Sequence, residues 1–138
     1  MRIFVDANIL ISVLNKEYPL FTHSSRVLSI VDKKGFEVFT SPICLAIAFY
    51  FAEKKYKSAK AKEKINLLCD HLFIAEISKS AVQKALRNRA VLDFEDGLEY
   101  YAAVENKCTC IVTEDVDDFH FAEIDVKRSE DFLKSLKM

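Results

Sequence analysis

Tryptophan is missing from the 138 residues, and glycine and proline occur only twice each. Such sparse punctuation excludes collagen-like and linker-rich chains and favours helices over a turn-rich all-β design. No sign of charge dominates: 20 basic residues face 21 acidic ones, for a net charge of -1. The chain as a whole therefore has no pull toward nucleic acid, and any such binding needs a local patch. Long hydrophobic runs are also lacking, since the longest, Pro42 to Ala52, is too short to span a bilayer. The apolar start carries an acid at its sixth position and no small-residue cleavage site, so no signal peptide is read there. A cytoplasmic protein with no membrane association is the expectation. Cys44, Cys69, Cys108 and Cys110 follow neither a disulfide nor a zinc spacing. Cys108 and Cys110 would share one face of a strand and are read as reduced packing residues.

What is present suits a globular fold: 51% of residues are hydrophobic and 30% charged. The length is that of one domain, and no repeat or long linker divides residues 1–138. Ile3, Phe4 and Val5 form an apolar run without polar alternation, as in a strand buried on both faces. Asp6 follows at the strand's carboxyl end, where open α/β sheets bind ligands. Its other reading is as N-cap of a helix from Asn8 to Leu14.

Further along, a helix from Pro19 or Thr22 to Lys34 stops at Gly35, and Phe36 to Thr40 alternates as a second strand. Ser41-Pro42 opens another helix, with Ile43, Ile47, Tyr50 and Phe51 read as one face. Glu53 to Lys64 holds six lysines against two glutamates and reads as an exposed helix turn or linker. Leu72 to Ile77 is the third strand, and Ser78 or Ser80 caps a helix through Arg89. Asp93 caps the next helix, with Glu95 and Asp96 in its first turn, where the helix dipole favours acids. Leu98, Tyr101, Ala102 and Glu105 continue its period. Thr109 to Thr113 is the fourth strand, Ile124 to Val126 an edge strand, and Ser129 caps a last helix from Glu130 to Leu136. Strands alternating with helices indicate an α/β fold with a parallel sheet covered on both faces.

Three acidic groups fall at equivalent places: Asp6 after the first strand, Asp93, Glu95 and Asp96 opening a helix, and Asp115, Asp117 and Asp118 after the fourth strand. Converging carboxylates repel and raise one another's pKa unless a cation neutralises them. Oxygen ligands of this kind suit Mg²⁺ or Mn²⁺, which can activate water for phosphodiester hydrolysis. Singly, each group is equally a helix start or a solvated turn; together they call for a common site.

The residues that carry this pattern resemble the PIN-domain nucleases, the fold of the toxin in VapBC-type toxin-antitoxin pairs. The resemblance runs from Val5-Asp6-Ala7-Asn8-Ile9-Leu10, through Asp93-Phe94-Glu95-Asp96 with Tyr100 to Ala103, to Ile111 through Phe119. It implies a three-layer α/β/α domain with an open, mostly parallel sheet of four to five strands. It also implies a metal-dependent endoribonuclease, with an RNA substrate, a small antitoxin protein as partner, and a homodimer. Asp6, Asp96 and Asp115 then fall at catalytic, metal-binding positions, and Asp118 matches the aspartate of the family's Asp-Phe ending. Thr113 matches the hydroxyl residue that supports Asp6, with Asn8 and Asp93 as further support.

One departure stands out. Many PIN nucleases carry a glutamate in the third helix, and in this register Ile47 occupies its place. Glu95 or Asp93 is then the expected substitute, and a catalytically weak RNA-binding module of the same fold is the alternative. A haloacid dehalogenase-like phosphatase would want Asp-x-Asp, and Asn8 stands where its second aspartate belongs. A receiver domain would place its phosphorylated aspartate after a later strand. The segment from Lys79 to Arg89 contains no acid, so Lys84, Arg87 and Arg89 are the candidate RNA-binding residues, preferred over Glu53 to Lys64. Tyr100, Phe119 and Phe121 are candidate stacking partners for bases.

Overall fold

Ile3, Phe4 and Val5 have no exposed surface, as expected of an unalternating apolar run at the centre of a sheet covered on both faces. The computed structural model describes residues 1–136. It sets these three in β1 (Arg2–Val5), between β2 (Glu37–Thr40) and β4 (Cys110–Val112). β3 (Phe73–Ile74) and β5 (Asp125–Lys127) are the edges. The order is β3-β2-β1-β4-β5, and every pair is parallel.

Among the described residues, seven α-helices surround the sheet. They are α1 (Ala7–Leu14), α2 (Phe21–Ser29), α3 (Pro42–Tyr56), α4 (Ser58–Cys69), α5 (Lys79–Arg87), α6 (Phe94–Glu105) and α7 (Ser129–Ser135). α1 packs on α2 and α3, α3 on α4, and α2 on α7, while α5 packs on α6. Parallel crossovers are right-handed. The two steps from β1 through β2 to β3 therefore set α1 to α4 on one face, and the return from β3 to β4 sets α5 and α6 on the other. The expected three-layer α/β/α architecture follows. Strand order reverses at β1 and β4, so their carboxyl ends bound the crevice of the sheet.

Local expectations needed correction where tertiary packing overrides the sequence pattern. The third strand was expected over Leu72 to Ile77, but only Phe73–Ile74 pair, as Phe39↔Phe73 and Thr40↔Ile74. After the Ala75 N–H, which donates to Thr40 O at 2.7 Å, β2 supplies no further partner, because Ser41 turns the chain into α3, accepting from the Cys44 N–H at 3.2 Å. The lysine-rich stretch is no linker: α3 runs through it to Tyr56 and α4 restarts at Ser58, with Lys57 between them at φ 69. Lysine and glutamate are good helix formers, and a narrow apolar face of Ala52, Ala61, Ile65 and Leu68 packs on the core. On α3 the buried stripe is Cys44, Ala48 and Ala52, whereas Tyr50 and Phe51 are exposed. Small side chains let α3 close on α1 and α4, so the larger apolar residues were not the core face. The second helix stops at Ser29 and gives way to a 3-10 turn, Ile30–Asp32, ahead of Gly35 at φ +95.

α5 and α6 come close at Gly97. A Cβ there would meet Val91 Cγ1 at 2.6 Å and Ala85 Cβ at 3.0 Å. Here the missing side chain is what permits the helix contact.

Candidate metal centre

Asp6 leaves β1 in an extended conformation, and its side chain caps α1, accepting from the Ala7 N–H at 2.6 Å. The capping oxygen is Oδ1. Oδ2 accepts from the Thr113 hydroxyl at 2.8 Å, across the neighbouring end of β4. The capping role and the site role thus belong to one carboxylate. Asn8 ties the two strand ends together: its Nδ2 lies 3.1 Å from Thr113 Oγ1 and 3.1 Å from Asp115 Oδ2, and its Oδ1 accepts from the Glu114 N–H at 3.3 Å. Asp115 donates its own N–H to Thr113 Oγ1 at 3.1 Å.

The third acidic group arrives on α6. Asp93 caps this helix, accepting from the Glu95 N–H at 2.9 Å, and Glu95 and Asp96 occupy its first turn. Together they close a cavity of about 240 Å³ lined by Asp6, Asn8, Asp93, Glu95, Asp96, Glu99, Asp115 and Asp118, with Ala7, Ile11 and Ile47 as apolar wall. Thr113 lies behind it, wholly buried.

No ion pair among the described residues joins these carboxylates to a basic side chain. The cost shows in their protonation. Burial, then the charges of Asp93, Asp6, Asp118 and Glu95, push the Asp96 carboxyl up to about 7. Burial and the neighbouring Asp93 and Asp6 also raise Glu95. A hard divalent cation would relieve both effects, and the donor set, carboxylate oxygens almost throughout, fits one.

Asp6, Asn8, Asp93, Glu95, Asp96, Asp115 and Asp118, each named from the sequence, thus line one cavity, and Ile47 stands on its wall. Lys84, Arg87 and Arg89 are exposed on and just beyond α5, and none of them lines the cavity. Two of the suggested stacking aromatics are ruled out by burial. Tyr100 and Phe119 are core residues, and the Tyr100 hydroxyl accepts from the Glu123 N–H at 3.1 Å. Only Phe121 is partly exposed.

Glu99 was missed by sequence reasoning. Only 1% exposed, it accepts the Cys44 thiol hydrogen at Oε1, 2.8 Å away, and its carboxyl is raised well above the usual range by burial, then by Cys44 and Asp6. Burial also pushes the Cys44 thiol up to about 11. The available signal was a lone carboxylate in the apolar run Leu98 to Ala103, three residues after Asp96 and so on the same side of a helix.

The chain is 26% identical over 135 residues to Ribonuclease VapC1 of Aquifex aeolicus (strain VF5), covering 95% of this chain and 92% of that one. Its fold is similar to the structure of VapBC2 from Rickettsia felis bound to a DNA fragment from their promoter, with TM-score 0.71, 18% identity, and 93% and 98% of the two chains covered. It is also similar to VapBC-1 from nontypeable Haemophilus influenzae, with TM-score 0.72, 14% identity, and 94% and 99% covered. Residues 2–117 match the PIN domain model. With that match spanning most of its length, the chain belongs to the PIN domain family.

Proposed function

We propose that this protein is a metal-dependent endoribonuclease, the toxin of a toxin-antitoxin pair. The observation that carries the reading is the convergence of Asp6, Asp96, Asp115 and Asp118 on one cavity, with no basic counter-ion among the described residues. The similarity to a protein named a ribonuclease supports RNA as the substrate, and the likeness to VapBC structures supports a small antitoxin partner. The residues fit Mg²⁺ or Mn²⁺, with Asp6, Asp96, Asp115 and Asp118 as the carboxylates that would hold it. When bound, such an ion activates water and stabilises the leaving oxygen of a phosphodiester.

The chain's own residues prepare that chemistry. Thr113 fixes Asp6 through Oδ2, and Asn8 fixes Asp115 against the same hydroxyl, so two strands hold the carboxylates at a set separation. Glu95 is exposed at the entrance; burial, then Asp93 and Asp6, raise its carboxyl, which suits it to proton exchange with a substrate. Lys84, Arg87 and Arg89 would draw the RNA backbone toward α5, beside the acidic entrance of α6.

A second reading, an RNA-binding module with weak or no cleavage, is favoured by Ile47, which presents a hydrocarbon to the cavity where a carboxylate was expected. Cleavage of a fluorescent RNA in Mn²⁺ and in chelator tests the two. Metal-dependent cleavage abolished by Asp6→Asn is the expected outcome; RNA binding without cleavage in either condition would favour the second reading.

A further inference from the structure

α6 brings more acid to the site than its first turn. Glu99, three residues after Asp96, is 1% exposed, and Asp6 is 7% exposed. One ligand atom each from Asp6, Glu99 and Cys44 lie within 4.8 Å of one another. No Lys, Arg or His pairs with Glu99 among the described residues. Opposite, α3 turns Cys44 and Ile47 toward the same place, and neither offers a charge. The thiol does no more than donate to Glu99 Oε1 at 2.8 Å, with Asp6 Oδ1 at 3.9 Å.

We infer that Glu99 supplies the metal-binding carboxylate that α3 lacks, reaching from the opposite layer of the fold to the side of the ion that Ile47 leaves apolar. The inference rests on the metal-dependent reading above. Two buried carboxylates side by side, with no basic group, are costly to keep in a core and are explained when a cation shares them. Asp96 and Glu99 then grip from one helix, a turn apart, while Asp6 grips from β1. Cys44 is a positioning residue: its thiol holds one carboxylate oxygen and leaves the other to the metal. Glu95 is released from the role of substitute ligand.

Titration calorimetry with Mn²⁺ on folded protein tests this, with melting temperatures in Mn²⁺ and in chelator as the second readout. Glu99→Gln keeps shape and hydrogen bonding but removes the charge. It should weaken Mn²⁺ binding by at least about tenfold, as Asp6→Asn does, and shrink the melting shift given by Mn²⁺. Glu95→Gln should bind as wild type does. If Glu99→Gln binds with wild-type affinity while Asp6→Asn loses it, Glu99 is a core acid, and only this inference falls. If Asp6→Asn also binds as wild type does, the metal site itself is wrong. Should Glu99→Gln fail to fold, Glu99→Asp decides: its shortened carboxylate should lose affinity comparably, and unchanged affinity would overturn the assignment.

Discussion

Thr113 donates its hydroxyl hydrogen to Asp6 Oδ2 at 2.8 Å, adding a side-chain link to the backbone bond from the Asp6 N–H to Val112 O at the carboxyl ends of two adjacent parallel strands. The hydroxyl also accepts from the Asp115 N–H, so one oxygen orients two acidic residues. Thr113→Val keeps the shape and removes both bonds together with the one from Asn8 Nδ2. A hydrogen bond to a charged group contributes roughly 1.5–3 kcal/mol, and a loss in that range is expected in chelator melts. Mn²⁺ affinity should fall as well, because Asp6 is left free to turn; calorimetry on the same samples measures this.

The acidic cluster gives the metal-free protein an unusual pH dependence. Burial and like charges raise the Asp96 carboxyl to about 7, against roughly 3.9 for an unfolded aspartate. Between these values the folded state binds more protons than the unfolded one, so stability falls as pH rises through the window. Melting temperature in chelator should therefore drop from about pH 4 to about pH 7. Asp96→Asn should flatten the drop and melt higher than wild type at the upper end. In saturating Mn²⁺ the slope should reverse, since the ion takes the deprotonated form.

Close packing of α5 on α6 makes Gly97 sensitive. Gly97→Ala would set a methyl 2.6 Å from Val91 Cγ1 and 3.0 Å from Ala85 Cβ. The gain in helix propensity is about 1 kcal/mol, whereas overpacking costs typically about 1–3 kcal/mol. A net loss is expected, because Ala85 belongs to the facing helix and cannot step aside alone. Urea denaturation measures it, and RNA cleavage should fall with it, as Gly97 adjoins Asp96.

RNA binding should depend on α5 more than on the lysine-rich helices. Replacing Lys84, Arg87 and Arg89 together by Ala should weaken binding and flatten its salt dependence, because fewer counterions are released. Replacing Lys57, Lys60 and Lys62 should change the slope less. Filter binding across a salt series compares the two, and an unaltered slope in the first variant would remove α5 from the interface.

The residues that sequence reasoning found share one property: they follow strands or open helices, where the position of a side chain is set locally. Asp6 and Thr113 end buried apolar runs, and Asp93 to Asp96 open a helix with a recognisable cap, so a common site was legible from their places at strand ends and a helix start. Glu99 was not, because α6 is covered over most of its circumference, with Leu98, Glu99, Tyr100, Ala102 and Ala103 all buried. A 3.6-residue period through Leu98, Tyr101 and Ala102 passes Glu99 by. The face of α3 failed for a related reason. Apolar residues surround that helix, and the choice of Cys44, Ala48 and Ala52 for the core rests on how closely its neighbours approach. Tyr100 and Phe119 show the converse limit, since an aromatic beside an acidic motif can equally be the floor that supports it.

Glu114 opens the acidic turn yet is absent from the cavity lining. Its Oε2 accepts from both the backbone N–H and the hydroxyl of Ser129, each at 2.9 Å, at the start of α7. The turn that carries Asp115 is therefore moored on one side to Asn8 and on the other to the C-terminal helix. A change at α7, whether a truncation, a fused tag or a protein gripping that helix, should be felt at Asp115 through the Glu114 carboxylate, beside the backbone bond from the Thr113 N–H to Lys127 O. The acidic turn is thus tied to the far edge of the sheet as firmly as to the cavity it lines.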